Sequence, residues 1–268
     1  MSKPLVCGMI ASDLDSTLLR NDKTISAYTV SVLRRCRERG VRVVLVTARS
    51  EKSSEQFTAQ IPADGIISNG GALARCDGKI IYQRFIPRER AGELIARCLH
   101  TKGVRYITAE TDQGYFANHP SDPDNPAWRD YSPMTRTDFS DGVPGGVYKI
   151  TVDVPDNTLA GELGRDFSDL AMLSFAGEGW RCFSHTEARK EKALAAAADF
   201  FGVKPAAIAS FGDDYGDMEM LRFCGHGTAV SNAIPEVKAA AVYICGSNDE
   251  DGPAKWLEAY AGEAMHIT

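Results

Sequence analysis

The sequence lacks the features that mark several large classes of protein. Lysine and arginine are scattered without a basic block, and the formal net charge is −6. This charge argues against a general nucleic-acid binder and against a protein that binds anionic membranes. No apolar run approaches the roughly 20 residues that a membrane-spanning helix needs. We therefore expect neither nucleic acid nor a membrane as a partner.

The seven cysteines do not have the spacing of a disulfide framework or of a zinc site. Their number is odd, and the sequence contains neither a CxxC pair nor a cysteine and histidine grouping. We interpret them as reduced thiols in the core. The first 15 residues lack the pattern of a signal peptide, and we expect a cytoplasmic protein.

The two ends of the chain alternate between strand-like apolar runs and segments with helical periodicity. Strands are predicted at 5–12, 41–48 and 65–68, and helices at 27–40 and about 51–60. The same alternation resumes after the middle of the chain. This rhythm predicts a parallel sheet with helical crossovers.

The middle of the chain has a different pattern, with neighbouring strands, few helices and a polar loop that contains four prolines. This pattern is typical of a separate α+β lobe of about 100 residues. The predicted fold class is α/β: a doubly wound, Rossmann-like parallel sheet from residues 1–84 and 187–268, with an α+β lobe inserted at 85–186.

Unusual polar residues follow the predicted strands of the outer segments or begin a helix. They are Asp13 and Asp15, Thr47 with Arg49 just beyond, Lys190, and the cluster Asp213, Asp214 and Asp217. Ligands of open parallel sheets gather at the carboxyl ends of the strands. Converging carboxylates favour a hard divalent cation, and Mg²⁺ suits a site that shares phosphate oxygens.

Each of these elements alone has a purely structural explanation. An aspartate pair can form a turn or cap a helix, and a threonine can be a capping hydroxyl. A lysine at a helix start is commonly solvated, and an acidic cluster can complement a helix dipole. These explanations do not account for the order of acid pair, hydroxyl, lysine and acid cluster.

Four stretches, "DLDSTLL", "VTAR", "KEKAL" and "GDDYGDMEML", resemble in order and context the four motifs of the haloacid dehalogenase-like phosphatase superfamily. The stretches "SNGGAL" and "SNDEDGPAKWLE" are similar to its Cof-type branch. The resemblance implies a catalytic core at 1–84 and 187–268. It also implies that 85–186 form a cap that closes over the site and confers substrate specificity.

The resemblance also implies catalytic roles for residues of this chain. Asp13 would be the nucleophile that forms an aspartyl-phosphate, and Asp15 the general acid and base. Thr47 would hydrogen-bond the transferring phosphoryl group, and Lys190 would offset negative charge. Residues two apart on a strand point the same way, which suits a shared phosphoryl group.

The implied metal is Mg²⁺. Its ligands would include the carboxylates of Asp13 and Asp213 and the backbone carbonyl of Asp15. Asp217 would act through water or by holding Lys190.

Three positions depart from the usual motifs. Ser16 replaces a glycine, which costs little if the backbone there is not left-handed. Gly216 replaces an asparagine, which predicts weaker activity or an altered substrate. Glu191 follows Lys190 where glycine is usual. Because the other motif residues remain, we expect a working enzyme.

The predicted function is a Mg²⁺-dependent phosphatase of small phosphorylated metabolites, with sugar phosphates or related monoesters as substrates. Alternatives are a phosphosugar mutase, a receiver-like phospho-acceptor module, which would be about half as long, and a catalytically weak phosphate-binding protein. Nothing in the sequence indicates the oligomeric state. Candidate residues for reading the leaving group, none singled out by spacing, are Tyr115, His119, Trp128, Arg129, Lys149 and His185.

Overall fold

The computed structural model describes residues 7–119, 134–174 and 179–264, with the backbone alone at 261–264. The chain divides into two compact units. The first unit comprises Met1–Tyr82 and Arg189–Thr268, and the second comprises Gln83–Ala188. Two candidates from the sequence, Trp128 and Arg129, lie outside the described residues.

An eight-stranded sheet forms the centre of the first unit, with the strand order β14-β13-β12-β1-β2-β3-β4-β5. The strands from β14 to β3 pair in parallel, and β4 pairs antiparallel with β3. The strand bounds are β1 Met9–Asp13, β2 Arg42–Val46, β3 Gly65–Ser68, β4 Leu73–Cys76, β5 Lys79–Gln83, β12 Ile208–Gly212, β13 His226–Ala229 and β14 Tyr243–Ile244.

Six helices accompany this sheet in the described part of the first unit. They are α1 Ala27–Glu38, α2 Glu51–Thr58, α5 Lys190–Phe201, α6 Met218–Phe223, α7 Pro235–Ala240 and α8 Gly252–Ala264. The Ser26 side chain accepts a hydrogen bond from the backbone N–H of Thr29 and forms the N-cap of α1. Gly202, in the left-handed conformation, ends α5.

The central strands of this sheet are buried on both faces. All five residues of β1 and all five of β12 are buried, and Met9, Val44 and Phe211 are 0% exposed. Strands covered on both faces have continuous apolar runs rather than alternating ones. This is why the strands of the outer segments were recognisable from the sequence.

The second unit is a six-stranded sheet with the order β10-β11-β9-β6-β7-β8. Its strand pairs are antiparallel except for β7 with β8. The elements are α3 Arg88–Leu99, β6 Ile107–Thr111, β7 Gly114–Ala117, β8 Met134–Arg136, β9 Val147–Asp153, α4 Asn157–Asp166, β10 Leu170–Ser174 and β11 Trp180–His185. One sheet face packs with α3 and α4 in a separate hydrophobic cluster that includes Leu94, Ile150 and Phe183.

The predicted α/β class, with a doubly wound parallel sheet and an inserted α+β lobe, is confirmed. Three short elements were not predicted: β8, α6 and α7. They are three to six residues long, too short to show a periodic pattern. Among the described helices, none has the length and apolar character needed to cross a bilayer.

Candidate active site

Three neighbouring strands bring the predicted residues to one edge of the first sheet. Asp13 is the last residue of β1, and its register partner on β2 is Val46, directly before Thr47. On the other side, Ser12 pairs with Phe211 of β12, two residues before Asp213. Because the strands are parallel, their carboxyl ends lie side by side.

Lys190, the first residue of α5, lies between two carboxylates. Its Nζ donates to Asp13 Oδ1 and to Asp217 Oδ1, each at 2.7 Å. Asp13 and Lys190 are each 6% exposed, and Asp217 is 1% exposed. A lysine so buried requires carboxylate partners, and both of its partners belong to predicted motifs.

A glycine allows the start of α5 to approach this position. Gly71 has φ +101°, and a Cβ built on it would lie 2.2 Å from the carbonyl carbon of Arg189 and 2.6 Å from the backbone nitrogen of Lys190. Only glycine tolerates both this conformation and this contact. The "SNGGAL" stretch therefore positions Lys190.

Both carboxylate oxygens of Asp217 accept hydrogen bonds. Oδ1 accepts from Lys190, and Oδ2 accepts from the backbone N–H groups of Asp213 and Asp214 at 3.2 and 3.3 Å. A Cβ on Gly212 would lie 2.4 Å from the Asp217 Cβ, so glycine is required there as well. The geometry agrees with a role for Asp217 in holding Lys190.

Asp13, Asp213 and Asp217 form an acidic group whose candidate ligand atoms lie within 4.8 Å of one another. The Thr17 hydroxyl donates to Asp213 Oδ1 at 2.8 Å, which orients that carboxylate. Three carboxylates around one lysine leave an excess of negative charge. Oxygen ligands with this charge suit a hard divalent cation.

Burial and the mutual charges of this acidic group shift the pKa values of its members and of Lys190. Burial, reinforced by the nearby Asp217 carboxylate, raises the pKa of Asp213 to about 6. Burial also raises the pKa of Asp13 well above its usual value, although Lys190 opposes that change. For Lys190, burial alone would lower the pKa, but the carboxylates of Asp13 and Asp217 outweigh it and the pKa is raised.

The side chain of Asp15 lies in a separate ionic contact. Arg49 binds it with two hydrogen bonds, Nε to Oδ2 at 2.7 Å and Nη2 to Oδ1 at 2.8 Å, and Lys23 Nζ donates to Oδ1 at 2.8 Å. Burial would raise the pKa of Asp15, but the two cations outweigh it and lower the pKa to about 2. The carboxylate is therefore ionised at neutral pH.

Ser16 adopts the left-handed backbone conformation, with φ +56° and ψ 9°. The expectation of little loss depended on a backbone that is not left-handed, and this condition is not met. A residue with a Cβ is strained there, which explains why glycine is usual. The Asn232 side chain donates to the Ser16 carbonyl oxygen at 2.8 Å and supports this turn.

The other predicted positions are also defined by the structure. Thr47 is 1% exposed, and its hydroxyl oxygen accepts from the backbone N–H of Arg49 at 3.1 Å. A Cβ on Gly216 would meet no atom within 4 Å, so an asparagine has room there. Glu191 pairs with Arg189 at 2.8 Å.

Several residues around the site were not assigned roles from the sequence. Thr17 and Arg49 lie inside the quoted motifs, and their position beside motif aspartates was the signal available. Asn232 lies in "VSNAIPEV", part of a longer stretch that also resembles the Cof-type branch, whereas Lys23 lies in a loop without a distinctive pattern. Only the folded chain reveals the contacts of both residues.

Four of the candidates for recognising the leaving group lie in the second unit, and each of them makes a different contact. The Lys149 Nζ pairs with Glu110 Oε1 at 2.9 Å, and Tyr115 is the register partner of Glu110. The His119 and Tyr106 rings are in contact, with centroids 4.7 Å apart and planes tilted by 59°. The side chain of His185 accepts a hydrogen bond from the backbone N–H of Glu187.

Comparison with known proteins places this fold and site in one family. A model of the haloacid dehalogenase-like hydrolases matches residues 10–257. Two phosphatases of Bacillus subtilis (strain 168) that act on 5-amino-6-(5-phospho-D-ribitylamino)uracil are similar in sequence. YitU is 27% identical over 94% of this chain and 97% of its own, and YwtE is 26% identical over 93% and 96%.

A solved structure agrees with these matches. A haloacid dehalogenase-like hydrolase from Bacteroides thetaiotaomicron superposes with a TM-score of 0.83 and 25% identity, over 94% of this chain and 99% of that one. The chain belongs to the haloacid dehalogenase-like hydrolases, in the Cof-type branch that its motifs predicted. It is an enzyme of the phosphomonoesterase class.

Proposed function

We propose that the protein is a Mg²⁺-dependent phosphatase that hydrolyses monophosphate esters of small sugars or polyols through an aspartyl-phosphate on Asp13. The observation that supports this most directly is the meeting of Asp13, Asp213, Asp217 and Lys190 at the carboxyl ends of the strands. These residues come from distant parts of the chain. Separate turns and helix caps would not require them to converge.

In the first step, a carboxylate oxygen of Asp13 attacks phosphorus while the bond between phosphorus and the ester oxygen breaks. The leaving alkoxide takes a proton from Asp15 and departs as an alcohol. In the second step, a water attacks phosphorus and gives a proton to Asp15. The bond between Asp13 and phosphorus breaks, which releases phosphate and restores the carboxylate.

Lys190 and Thr47 offer fixed hydrogen-bond donors for the negative charge of the phosphoryl group. Asp13, Asp213 and the Asp15 carbonyl would hold Mg²⁺, which supplies charge neutralisation to the phosphoryl oxygens when bound. Asp217 keeps Lys190 in position through its 2.7 Å contact.

The contact with Arg49 affects the two roles of Asp15 differently. An ionised Asp15 is ready to accept a proton from water. To donate a proton it must first leave the two hydrogen bonds of Arg49, which occupy both of its oxygens. We therefore infer that Asp15 separates from Arg49 before the leaving group is protonated.

The substrate class rests on the relatives. YitU and YwtE act on a compound in which phosphate esterifies a ribityl chain, which is a polyol. A panel of sugar and polyol monophosphates, including the ribitylaminouracil phosphate, assayed for phosphate release with Mg²⁺ therefore tests the proposal.

The decisive variant is Asp13→Asn. Loss of the nucleophile should lower kcat by roughly 10³-fold or more, and chelation of Mg²⁺ should abolish phosphate release by the parent. Asp22→Asn is the matched control because Asp22 lies in an exposed loop, and its rate should equal that of the parent. An Asp13→Asn variant as fast as the parent would disprove the proposed nucleophile.

One observation favours a second candidate, a catalytically weak phosphate-binding protein. Gly216 provides no side chain where the family usually has an asparagine, and the space beside it is open. If this is the reason for weak activity, Gly216→Asn should raise phosphate release above that of the parent. Phosphate binding by the parent without turnover of any ester would favour this second candidate.

A further inference from the structure

In the first unit, a loop after β14 contacts the segment that follows the nucleophile. Residues 247–252 form this loop, which leads into α8 and begins the stretch "SNDEDGPAKWLE". The segment comprises residues 14–24 and includes Asp15 and Ser16. The loop belongs to a stretch that the proposed reaction does not otherwise use.

Asn248 connects the loop to this segment from a buried position. It is 2% exposed, and its Nδ2 donates to the carbonyl oxygen of Leu19 at 3.0 Å and to Oδ1 of Asn21 at 3.1 Å. Its backbone N–H donates to Oδ1 of Asn232 at 2.9 Å, and Asn232 Nδ2 donates to the carbonyl oxygen of Ser16 at 2.8 Å. Asn248 therefore holds the segment at two residues directly and at a third through Asn232.

Two aspartates of the loop hold the same segment. Asp249 accepts hydrogen bonds from the backbone N–H and from the side-chain amide of Asn21. Asp251 forms an ion pair with Arg20 at 3.0 Å and accepts from the Thr29 hydroxyl of α1 at 3.2 Å. Because Asn21 and Asp249 are both exposed, their contact can be changed without disturbing the core.

The loop is braced by hydrogen bonds within itself. The Glu250 side chain accepts from the Ser247 hydroxyl at 2.8 Å, and the backbone N–H of Gly252 donates to the Ser247 carbonyl oxygen at 2.9 Å. A Cβ on Gly252 would overlap the carbonyl oxygen of Gly246, so glycine is required for the loop to close. A loop that is already ordered can hold another segment at little further cost in conformational entropy.

The segment needs such support because two of its residues have left-handed backbone conformations. Ser16 has φ +56° and Lys23 has φ +64°, and such conformations persist when the surrounding structure determines them. Lys23 lies in a turn in which the Arg20 N–H donates to the carbonyl oxygen of Thr24 at 2.9 Å. Its Nζ donates to Asp15 Oδ1 at 2.8 Å. The contacts of the loop thus reach Asp15 from both sides, through the residue after it and through this turn.

We propose that the 247–252 loop positions Asp15 for proton transfer to the leaving group, with Asn21, Asp249 and Asn248 as positioning residues. The inference rests on the proposed function, because it concerns Asp15 as the acid of that reaction. Misplacing a catalytic group by about 1 Å can lower the rate by about 10²-fold. A small shift of the segment should therefore be measurable.

The nucleophile does not depend on this loop in the same way. Asp13 ends the buried strand β1, and Lys190 donates to its carboxylate at 2.7 Å. Movement of the segment after Asp13 should therefore disturb protonation of the leaving group more than attack on phosphorus. Substrates whose leaving groups differ in their need for a proton separate these two effects.

The test variant is Asn21→Asp, which places a second carboxylate against Asp249. For ribitol phosphate, whose alkoxide leaving group needs a proton, kcat/KM should fall by about tenfold or more, a part of the roughly 10²–10⁴-fold that a positioned acid contributes. For p-nitrophenyl phosphate, whose nitrophenolate leaves without a proton, kcat/KM should stay within about twofold. An unchanged kcat/KM for ribitol phosphate would overturn the proposal, as would an equal fall for both substrates.

A reciprocal exchange provides the rescue. In the double variant Asn21→Asp with Asp249→Asn, the amide and the carboxylate change places, so the pair can form again in the opposite direction. The net charge of this variant equals that of the parent. Its kcat/KM for ribitol phosphate should return to within about twofold of the parental value. A double variant as slow as Asn21→Asp would overturn the proposal.

Gln56→Glu is the matched control, because it makes the same change from amide to carboxylate at an exposed position of α2. Its kcat/KM for both substrates should stay within about twofold of the parent, since isolated surface charges contribute little. A loss with ribitol phosphate equal to that of Asn21→Asp would mean that added negative charge alone slows the enzyme, and it would overturn the proposal.

Hydrogen exchange separates a failure of this inference from a failure of the proposed function. The backbone N–H groups of Leu19 and Arg20 donate to the carbonyl oxygens of Leu14 and Thr24, so they report whether the segment stays closed. They should exchange about tenfold faster in Asn21→Asp than in the parent, and at the parental rate in the double variant. If the parent hydrolyses no ester, the proposed function fails, and faster exchange still supports the hold of the loop on this segment. Equal exchange in the parent and in Asn21→Asp would overturn that hold.

Discussion

Each of the two units pairs a lysine with carboxylate oxygens, but the two lysines differ in burial and in the number of carboxylates that they contact. In the first unit, Lys190 donates to Asp13 and Asp217, and Asp217 also accepts from two backbone N–H groups. In the second unit, Lys149 pairs with one oxygen of Glu110, and the other oxygen accepts no hydrogen bond from the described residues.

This difference reflects what each unit provides for a ligand. The first unit has three clustered carboxylates and one lysine, and the excess negative charge favours binding of a cation. The second has a neutral pair in which one carboxylate oxygen accepts no hydrogen bond within the described part of the chain. The first arrangement is recognisable from motifs, whereas the second arises from two residues on neighbouring strands with no motif around either.

Removing each lysine tests the difference most strongly. Lys190→Met leaves buried carboxylates facing one another and should lower the free energy of unfolding by about 3–5 kcal/mol. Lys149→Met leaves a single carboxylate without its donor and should cost about 1–3 kcal/mol. Urea unfolding at pH 7 measures both, and equal losses would contradict the different dependence of the two units on their lysines.

The placement of Lys190 can be changed without altering its charge. Gly71→Ala would force the start of α5 away from the turn before β4, because the added Cβ would lie 2.2 Å from the Arg189 carbonyl carbon. We expect phosphate release to fall by about 10²-fold, the effect of misplacing a catalytic group by about 1 Å. The steady-state rate on p-nitrophenyl phosphate measures this loss.

Gly70→Ala is its matched control. Gly70 also has a positive φ, of +66°, but a Cβ there would meet no atom within 4 Å. It should reduce stability by about 1 kcal/mol through strain alone and leave the rate nearly unchanged. Equal rate losses in the two variants would contradict the role of Gly71 in positioning Lys190.

The pH dependence of stability should reveal the excess charge of the first unit. The pKa of Asp213 is about 6 in the folded protein against 3.8 ordinarily, so the folded state binds more protons between these values. The Asp213 contribution therefore lowers the free energy of unfolding as pH rises from about 4 to 6. Binding of Mg²⁺ above pH 6 should reverse this loss.

Thermal unfolding of the parent and of Asp213→Asn, with a chelator and then with Mg²⁺, measures this contribution. With the chelator, the Tm of the variant relative to the parent should rise by several degrees between pH 4 and pH 7. Mg²⁺ should raise the Tm of the parent more than that of the variant. A difference in Tm between parent and variant that stays constant with pH would show that the pKa of Asp213 is not raised in the folded protein.

Backbone strain gives the smallest expected effect. The first unit strains Ser16, at φ +56°, next to its motif aspartates. Ser16→Gly should raise the free energy of unfolding by about 1 kcal/mol. Asp77→Gly, at φ +45° in the turn between β4 and β5, should give a similar gain. No gain in Ser16→Gly would show that the left-handed backbone at Ser16 is not a source of strain.

Much of the fold could be predicted because the relevant patterns are local. The apolar run of β1, the Ser26 N-cap and the helix start at Lys190 are all visible within a few residues. The short helices α6 and α7 were missed because six residues show less than two full turns of periodicity. The left-handed Ser16 was missed because a serine carries no sign of the conformation that its neighbours impose.

The candidate site was predictable to a similar extent. The motif aspartates, Thr47 and Lys190 could be named because their order and flanking residues are distinctive. Arg49 was noticed beyond Thr47, but its two hydrogen bonds to Asp15 depend on how two strand ends approach each other. No spacing in the sequence predicts that contact or the low pKa of Asp15.

The sequence by itself determined the alternation of strands and helices, the inserted lobe and the identity of the motif residues. Local hydrophobic periodicity and turn chemistry suffice for these. Only the tertiary structure decided that Gly71 allows the backbone before Lys190 to approach, that Asp15 is paired with Arg49, and that Glu110 pairs with Lys149 through one oxygen. These are contacts between residues distant in sequence, and they depend on strand register and close packing, which short stretches of sequence do not encode.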